Sequence, residues 1–229
     1  MNWPNLDSLT RPGANALLGL CLDGSRLDGV VLRRTNGGLQ RQQSFSATLT
    51  LDPLTSDPEL VGREIRNHLD AAGVRERRCV VGLPLKWALI LHAKLPELAA
   101  TDEASFLQIE AERGFACDVA TLLLGTSRCR TPSGEVHVTL VGIPRNHVTL
   151  LEQALHRAQL KPVSFSLGLA ALQRPESMAV PGAKSPTTPD GPAATDDGVL
   201  ALAIGETHVG LQVTAGGGIA ALRALEGAL

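Results

Sequence analysis

The stretch that decides the fold is "LGLCLDGSRLDGVVL", Leu18 to Leu32. Apolar residues on either side of Asp23-Gly24-Ser25 read as a strand, a polar turn and a second strand. A Gly- and hydroxyl-bearing turn at a strand end is also a way of holding phosphate, so Asp23, Gly24, Ser25 and Arg26 are candidate nucleotide-binding residues. The segment "GVLALAIGETHVGLQV" at 198–213 repeats the pattern. Leu20, Leu22, Ser25, Leu27 and Val31 correspond to Leu202, Ile204, Thr207, Val209 and Val213. Gly205, Glu206 and Thr207 become the matching candidates of a second turn. Two such hairpins predict two related domains that begin in the same way.

Between the hairpins the chain alternates strands and helices. Leu39–Leu51 adds a third strand after "NGG" at 36–38. Ser56-Asp57-Pro58 opens a helix with a capping side chain and a proline in the first turn. Leu60, Val61, Ile65 and Leu69 line its apolar face, Gly73 stops it, and "CVVGLP" (79–84) is a short buried strand. Ala88–Leu95 is a strand, and Thr101-Asp102-Glu103 starts a helix that Gly114 ends. Thr121–Cys129 and Val136–Ile143 form a hairpin across "TPSG". Asn146 caps a helix running through Leu160, and "VSFSL" (163–167) follows. This β-α-β-β-α-β order predicts a split βαβ unit, one layer of sheet under two helices. A short helix is expected near 168–173. Arg174–Asp197 holds five prolines among Ser, Thr, Gly and Asp and reads as a flexible linker.

Composition narrows the function. The chain has 229 residues, 44% hydrophobic and 19% charged, with net charge −2, enough for one or two domains with cores. The charge balance and 3% aromatic content argue against nucleic acid as a partner. Arg33-Arg34 and Arg75-Glu76-Arg77-Arg78 read as solvated turns. The four cysteines have no metal-ligand spacing. Cys21 and Cys79 read as buried thiols of a reducing cytoplasm. His92, His137 and His208 read as surface or half-buried histidines rather than ligands. No apolar run is long enough to cross a bilayer, and residues 1–15 read as a loose tail without a signal peptide.

The order of motifs resembles the actin-like ATPase superfamily, most closely the PilM-type pilus assembly proteins, relatives of FtsA and of the cytoplasmic part of GspL. "LGLCLDGSRLD" matches their opening strand and phosphate turn. "VVGLPLKWALILHAKLPELAATDEASFLQIEAERGF" is similar to their strand, "LP" turn and Glu-rich helix. "VTLVGIPRNHVTLLEQALHRAQLKPVSFSLGLAALQR" resembles their strand, the helix that follows it and a last helix that returns to the first domain, and "LALAIGETHVGLQVTAGGG" the second phosphate hairpin. The resemblance implies an α/β, ribonuclease H-like first domain (16–84 and 166–174), an inserted subdomain (85–165), the linker at 175–197, and the beginning of a second, incomplete actin-like domain (198–229).

In that superfamily ATP lies between the hairpins, and each first strand ends in an Asp that positions metal, water and phosphates. Those positions are Cys21 and Ala203 here. Phosphoryl transfer rests on metal placement and positioned charge, so catalysis is expected to be lost. The expectation is a non-catalytic cytoplasmic scaffold that needs no cofactor. It reaches the inner membrane through the tail of a PilN-like partner and other pilus or secretion components, without inserting into the membrane itself. Asp23 and Thr207 around Mg and ATP would make the alternative, an active ATPase. A further alternative is an FtsA-like division tether. Ile219, Leu222 and Leu225 share one helical face, but one Arg and one Glu make a weak anchor, and the protein is expected to stay in the supernatant when anionic liposomes are pelleted.

Overall fold

Alternating apolar side chains build the first three strands, β1 (Ala16–Asp23), β2 (Arg26–Thr35) and β3 (Gly38–Thr48), into an antiparallel meander in the computed structural model. Residues 16–35, 38–169, 198–205 and 208–226 are described. The expected tail at 1–15, the linker at 175–197, and Glu206 and Thr207 lie outside them. So does all but Gly168 and Leu169 of the expected helix near 168–173.

Helix α1 (Pro58–Ala71) starts as its sequence dictates. Asp57 Oδ1 accepts the Glu59 N–H at 2.8 Å, Pro58 fills the first turn, and Gly73 follows the last turn at φ +72°. Its buried face is Val61, Gly62, Ile65 and Leu69. Leu60, expected there, is exposed, because it lies about 100° around the helix from Val61. Gly62 takes its place at the helix contact. A Cβ there would lie 2.5 Å from Arg157 Cβ and 2.6 Å from the Ala154 carbonyl oxygen, so its absence lets a second helix come close.

Strand β4 (Arg78–Leu83) runs parallel to β1, and a short 3-10 turn, Leu85–Trp87, leads on. Then come β5 (Leu89–Leu95), α2 (Ala100–Gly114), β6 (Leu122–Arg130), β7 (Val136–Pro144), α3 (Arg145–Arg157) and β8 (Lys161–Leu167). The expected element order is present, but it does not make one layer. β5, β7 and β6 form a sheet of their own, whereas β8 pairs in parallel with β4 and α3 packs on α1. The unit expected at 85–165 is thus divided between two sheets, and position 165 falls inside β8. The reason is burial: Leu151, Ala154 and Leu155 of α3 fill the groove opened by Gly62. Asn146 is inside α3 and does not cap it; Pro144 holds that position without a side-chain bond. The helix ends at Arg157, earlier than expected, and Gln159 turns the chain at φ +61°.

The five-stranded sheet has the order β3-β2-β1-β4-β8, with α1 and α3 on one face over Leu18, Leu20, Leu22, Val81 and Leu83. The opposite face is an open groove of about 590 Å³ lined by Gly19, Cys21, Val30, Val80 and Gly82. Cys21, expected to be buried, points into that groove and is exposed, whereas Cys79, on the helix side, is buried. A second core of Ala111, Phe115, Val119, Leu122, Val138 and Leu140 holds α2 on the β5-β7-β6 sheet.

The last sheet is another meander, β9 (Val199–Ile204), β10 (His208–Ala215) and β11 (Gly218–Glu226), turned between β10 and β11 by Gly216 and Gly217 at φ +57° and +79°. The C-terminal apolar stretch is therefore strand rather than helix as far as Glu226. β11 docks on the middle sheet. The Arg130 N–H donates to the Gly216 carbonyl at 2.9 Å, the Ile219 N–H donates to Ser127 Oγ at 2.9 Å, and Thr139 Oγ1 donates to the Ile219 carbonyl at 2.8 Å.

Candidate functional site

The two hairpins are built alike. Leu22 pairs with Leu27 and Cys21 with Asp28 in the first; 182 positions on, Ile204 pairs with Val209 and Ala203 with Gly210. A short turn between alternating strands imposes this shared register. Gly24 sits at the first turn at φ +60°, where a side chain would be strained. The second hairpin closes with the Gly205 N–H donating to the His208 carbonyl at 2.9 Å.

The turn ends meet. Asp23 Oδ1 lies 3.4 Å from His208 Nδ1, and a Cβ on Gly205 would fall 2.1 Å from Asp23 Oδ2. The Asp23 carboxylate thus fills the space between the hairpins, and only glycine at 205 admits it. Ser25 stands beside it in the first turn. Arg26 pairs with Asp28 at 3.0 Å and so points along its own strand. The structure therefore brings Asp23, Gly24, Ser25, Arg26 and Gly205 to one place, while Glu206 and Thr207 lie outside the described residues.

Cys21 stands two residues before the end of β1, which is Asp23 itself, and Ala203 one residue before the end of β9. Although its side chain opens onto the groove, Cys21 is packed closely enough that desolvation, then the carboxylates of Asp28 and Asp23, pushes its thiol up, the opposite of what a stand-in for a carboxylate needs. Among the described residues no group of three or more His, Cys, Asp or Glu side chains is arranged to hold a metal ion.

Sequence reasoning missed His208. It reads there as a surface or half-buried histidine, yet it is buried and faces Asp23 across the hairpins. The signal lay in the repeat, which puts both residues at turn ends. His92 is tied to Thr139, its Nδ1 2.9 Å from Oγ1, and His137 lies 3.7 Å from Glu135.

Beside the first turn is a groove of about 400 Å³. Its walls include Leu22 and Ser25, the loop Leu49–Leu54, and Lys86 and Trp87 at the entrance to the middle sheet. Glu64 holds that loop. Its carboxylate accepts the Thr50 N–H at 2.6 Å, the Thr50 hydroxyl at 2.7 Å and the Leu51 N–H at 3.1 Å.

The sequence matches no protein-family profile and no curated relative. Solved structures do match. A chain described as "PilM-PilN type IV pilus biogenesis complex" is 22% identical with a TM-score of 0.68 over 94% of this chain. The cytoplasmic domain of EpsL, an inner membrane component of the type II secretion system of Vibrio cholerae, is 15% identical with a TM-score of 0.59 over 92%. This chain spans 62% of the first structure and 71% of the second. The fold is the α/β actin-like ATPase fold, in the form that the PilM–PilN structure and EpsL share.

Proposed function

We propose that the protein is a non-catalytic scaffold of a type IV pilus or related secretion machine, one that docks the cytoplasmic tail of a PilN-like inner-membrane protein. The single observation that carries this reading is the state of the hairpin gap. Cys21 and Ala203 stand near the ends of the two strands, where the resemblance expects carboxylates, and the Asp23 carboxylate is turned onto Gly205 and His208. With neither expected carboxylate present and Asp23 so turned, the described residues offer little with which to place a metal and a γ-phosphate. The fold shared with the PilM–PilN structure and with EpsL supports the class of machine.

The groove beside Lys86 and Trp87 is the proposed seat of the tail. It joins apolar walls to one cation, Lys86, and one carboxylate, Asp52, which suits a short extended peptide with polar groups on one edge. Other pilus or secretion components would assemble on the same scaffold. Among the described residues no helix is long and apolar enough to cross a membrane, in keeping with a cytoplasmic protein held at the inner membrane by its partner.

Two measurements test the reading. Titration with the tail peptide of the adjoining membrane component is expected to give saturable binding that Trp87→Ala weakens. No binding at roughly 1 mM peptide, an affinity limit near −4 kcal/mol, overturns it. Thermal unfolding with Mg-ATP is expected to show no shift, whereas tight binding at a hundredfold excess over Kd would add about 2.7 kcal/mol. The alternative, an ATPase using Asp23 and Thr207, requires Asp23 to leave His208. It gains the field if a Mg-dependent shift occurs and vanishes in Asp23→Ala. The tether alternative loses its helix, since Ile219, Leu222 and Leu225 belong to β11.

A further inference from the structure

The two basic clusters that read in sequence as separate solvated turns are brought together by the sheet. β1 and β4 run in parallel, and β2 runs against β1, so the end of β2 and the starts of β3, β4 and β8 share one edge of the five-stranded layer. Arg41 pairs with Leu32, Leu32 with Leu17, and Arg78 with Lys161; Leu17 is one step before the Leu18–Cys79 pair and so stands level with Arg78. Arg41, Arg78 and Lys161 therefore lie in one row across the sheet. Arg33, Arg34 and Arg77 stand at the same end, one or two residues further out. With strands about 4.8 Å apart, the row spans roughly 19 Å.

These cations are largely left unpaired among the described residues. Among the described residues none of the six has a carboxylate within ion-pair distance. Glu76, whose carboxylate accepts the backbone N–H groups of Arg77 and Arg78 at 3.0 Å, offsets one of the six charges, and Asp70 pairs with Arg66. All but Arg78, which is half-buried, are exposed. For a chain of net charge −2 this is a strong local excess of positive charge.

Against the expectation from sequence that the protein leaves anionic liposomes alone, we propose that this end of the first sheet docks on an anionic lipid bilayer. Charge complementarity and shape argue for that occupant. The register gathers these cations at one edge of the sheet from four of its five strands, and their long, flexible side chains let a bilayer surface set across that edge meet them together. A single-stranded nucleic acid asks for a track with stacking aromatics, whereas aromatics make up 3% of the chain and Trp87 stands at the far end of the layer. The contact is electrostatic and peripheral, with no segment inserted, and it is independent of whether a partner tail occupies the groove by Trp87.

Co-sedimentation of the full chain with phosphatidylcholine vesicles, with and without phosphatidylglycerol, tests this. Binding is expected only with the anionic lipid, and it should collapse as added salt shortens the screening length from about 10 Å at 0.1 M to about 3 Å at 1 M. Neutralising Arg34→Gln, Arg41→Gln and Arg77→Gln together should weaken partitioning roughly a hundredfold, about fivefold per cation. The same loss of charge at Arg63, Arg113 and Arg223, all exposed but remote from this end, should leave it within about twofold. Unchanged melting curves confirm that both variants fold. Equal binding to neutral vesicles, or undiminished binding of the first variant, overturns the proposal. So does charge-dependent binding to duplex DNA by a protein that ignores the vesicles.

Discussion

The first and last meanders share a hairpin register and differ in nearly everything around it. β1 is central, held by β2 on one edge and β4 on the other, and Leu18, Leu20 and Leu22 are buried under α1 and α3. β9 has β10 on one edge and, among the described residues, nothing on the other; Leu200, Leu202 and Ile204 are 59%, 52% and 72% exposed. The third strands invert this. β3 is a polar outer edge, while β11 is docked on the middle sheet and buries Leu222. Register is thus a local property of turn and alternation, whereas burial depends on what the remainder of the chain brings against each strand. "VLALAI" has no polar residue on either face, the pattern of a strand covered on both sides, yet among the described residues only the Ala201 and Ala203 face is half-covered and the leucine face is open.

The largest expected effect is a matched pair of substitutions at equivalent positions of the repeat. Leu20→Ala removes a side chain that is 4% exposed and should cost about 2–5 kcal/mol. Leu202→Ala, its counterpart, should change stability by no more than about 0.5 kcal/mol. Urea unfolding of the two variants checks the contrast. A loss above about 1.5 kcal/mol in Leu202→Ala would break the comparison, because it would mean that β9 is covered in solution.

Glu64 offers a smaller test, confined to the first meander. The residue bridges α1 to the chain leaving β3, and Glu64→Ala should cost about 1–3 kcal/mol through the loss of bonds to a charged acceptor. Burial works to raise its carboxyl, but the bonds from Thr50 and Leu51, with His68 nearby, hold it below the usual value of 4.5. A carboxylate depressed in the folded state stabilises fully above its unfolded value, and that stability is lost as pH falls through the folded one. The stability gap between wild type and Glu64→Ala should therefore be flat near neutrality and narrow only below pH 4.5. A gap that is unchanged well into acid would assign the role of Glu64 to packing.

What was legible in the sequence was local. Asp57-Pro58 and Gly73 mark the limits of α1, alternation marks the strands, and the spacing of the two hairpins gives the repeat. The partners of α3 and β8 were not legible. The period of α3 shows that Leu151 and Leu155 are buried, but it does not say that they meet α1 through Gly62. The site divides in the same way. Asp23 stands out as a turn residue, whereas its approach to His208 joins positions 185 apart and depends on how two hairpins are set against each other. The basic end of the first sheet was hidden for the same reason, since Arg41 and Arg78 become neighbours only through strand order.

The smallest expected effect concerns the joint that gives β11 the support β3 lacks. Ser127 Oγ accepts the Ile219 N–H, and Thr139, itself 1% exposed, donates to the Ile219 carbonyl while meeting His92. One residue of β11 is thus bonded from both sides by the middle sheet. Close approach is possible because position 218 is glycine, where a Cβ would fall 1.9 Å from the Arg128 carbonyl oxygen. Ser127→Ala leaves the Ile219 N–H without its acceptor and should cost about 1 kcal/mol. The loss should be local: hydrogen exchange is expected to quicken at Ile219 and along β11, with the amides of β1 and β4 unchanged. Faster exchange spread evenly over both meanders would show that the last sheet unfolds together with the first, and the contrast between a self-sufficient β1 and a β11 dependent on its dock would fail.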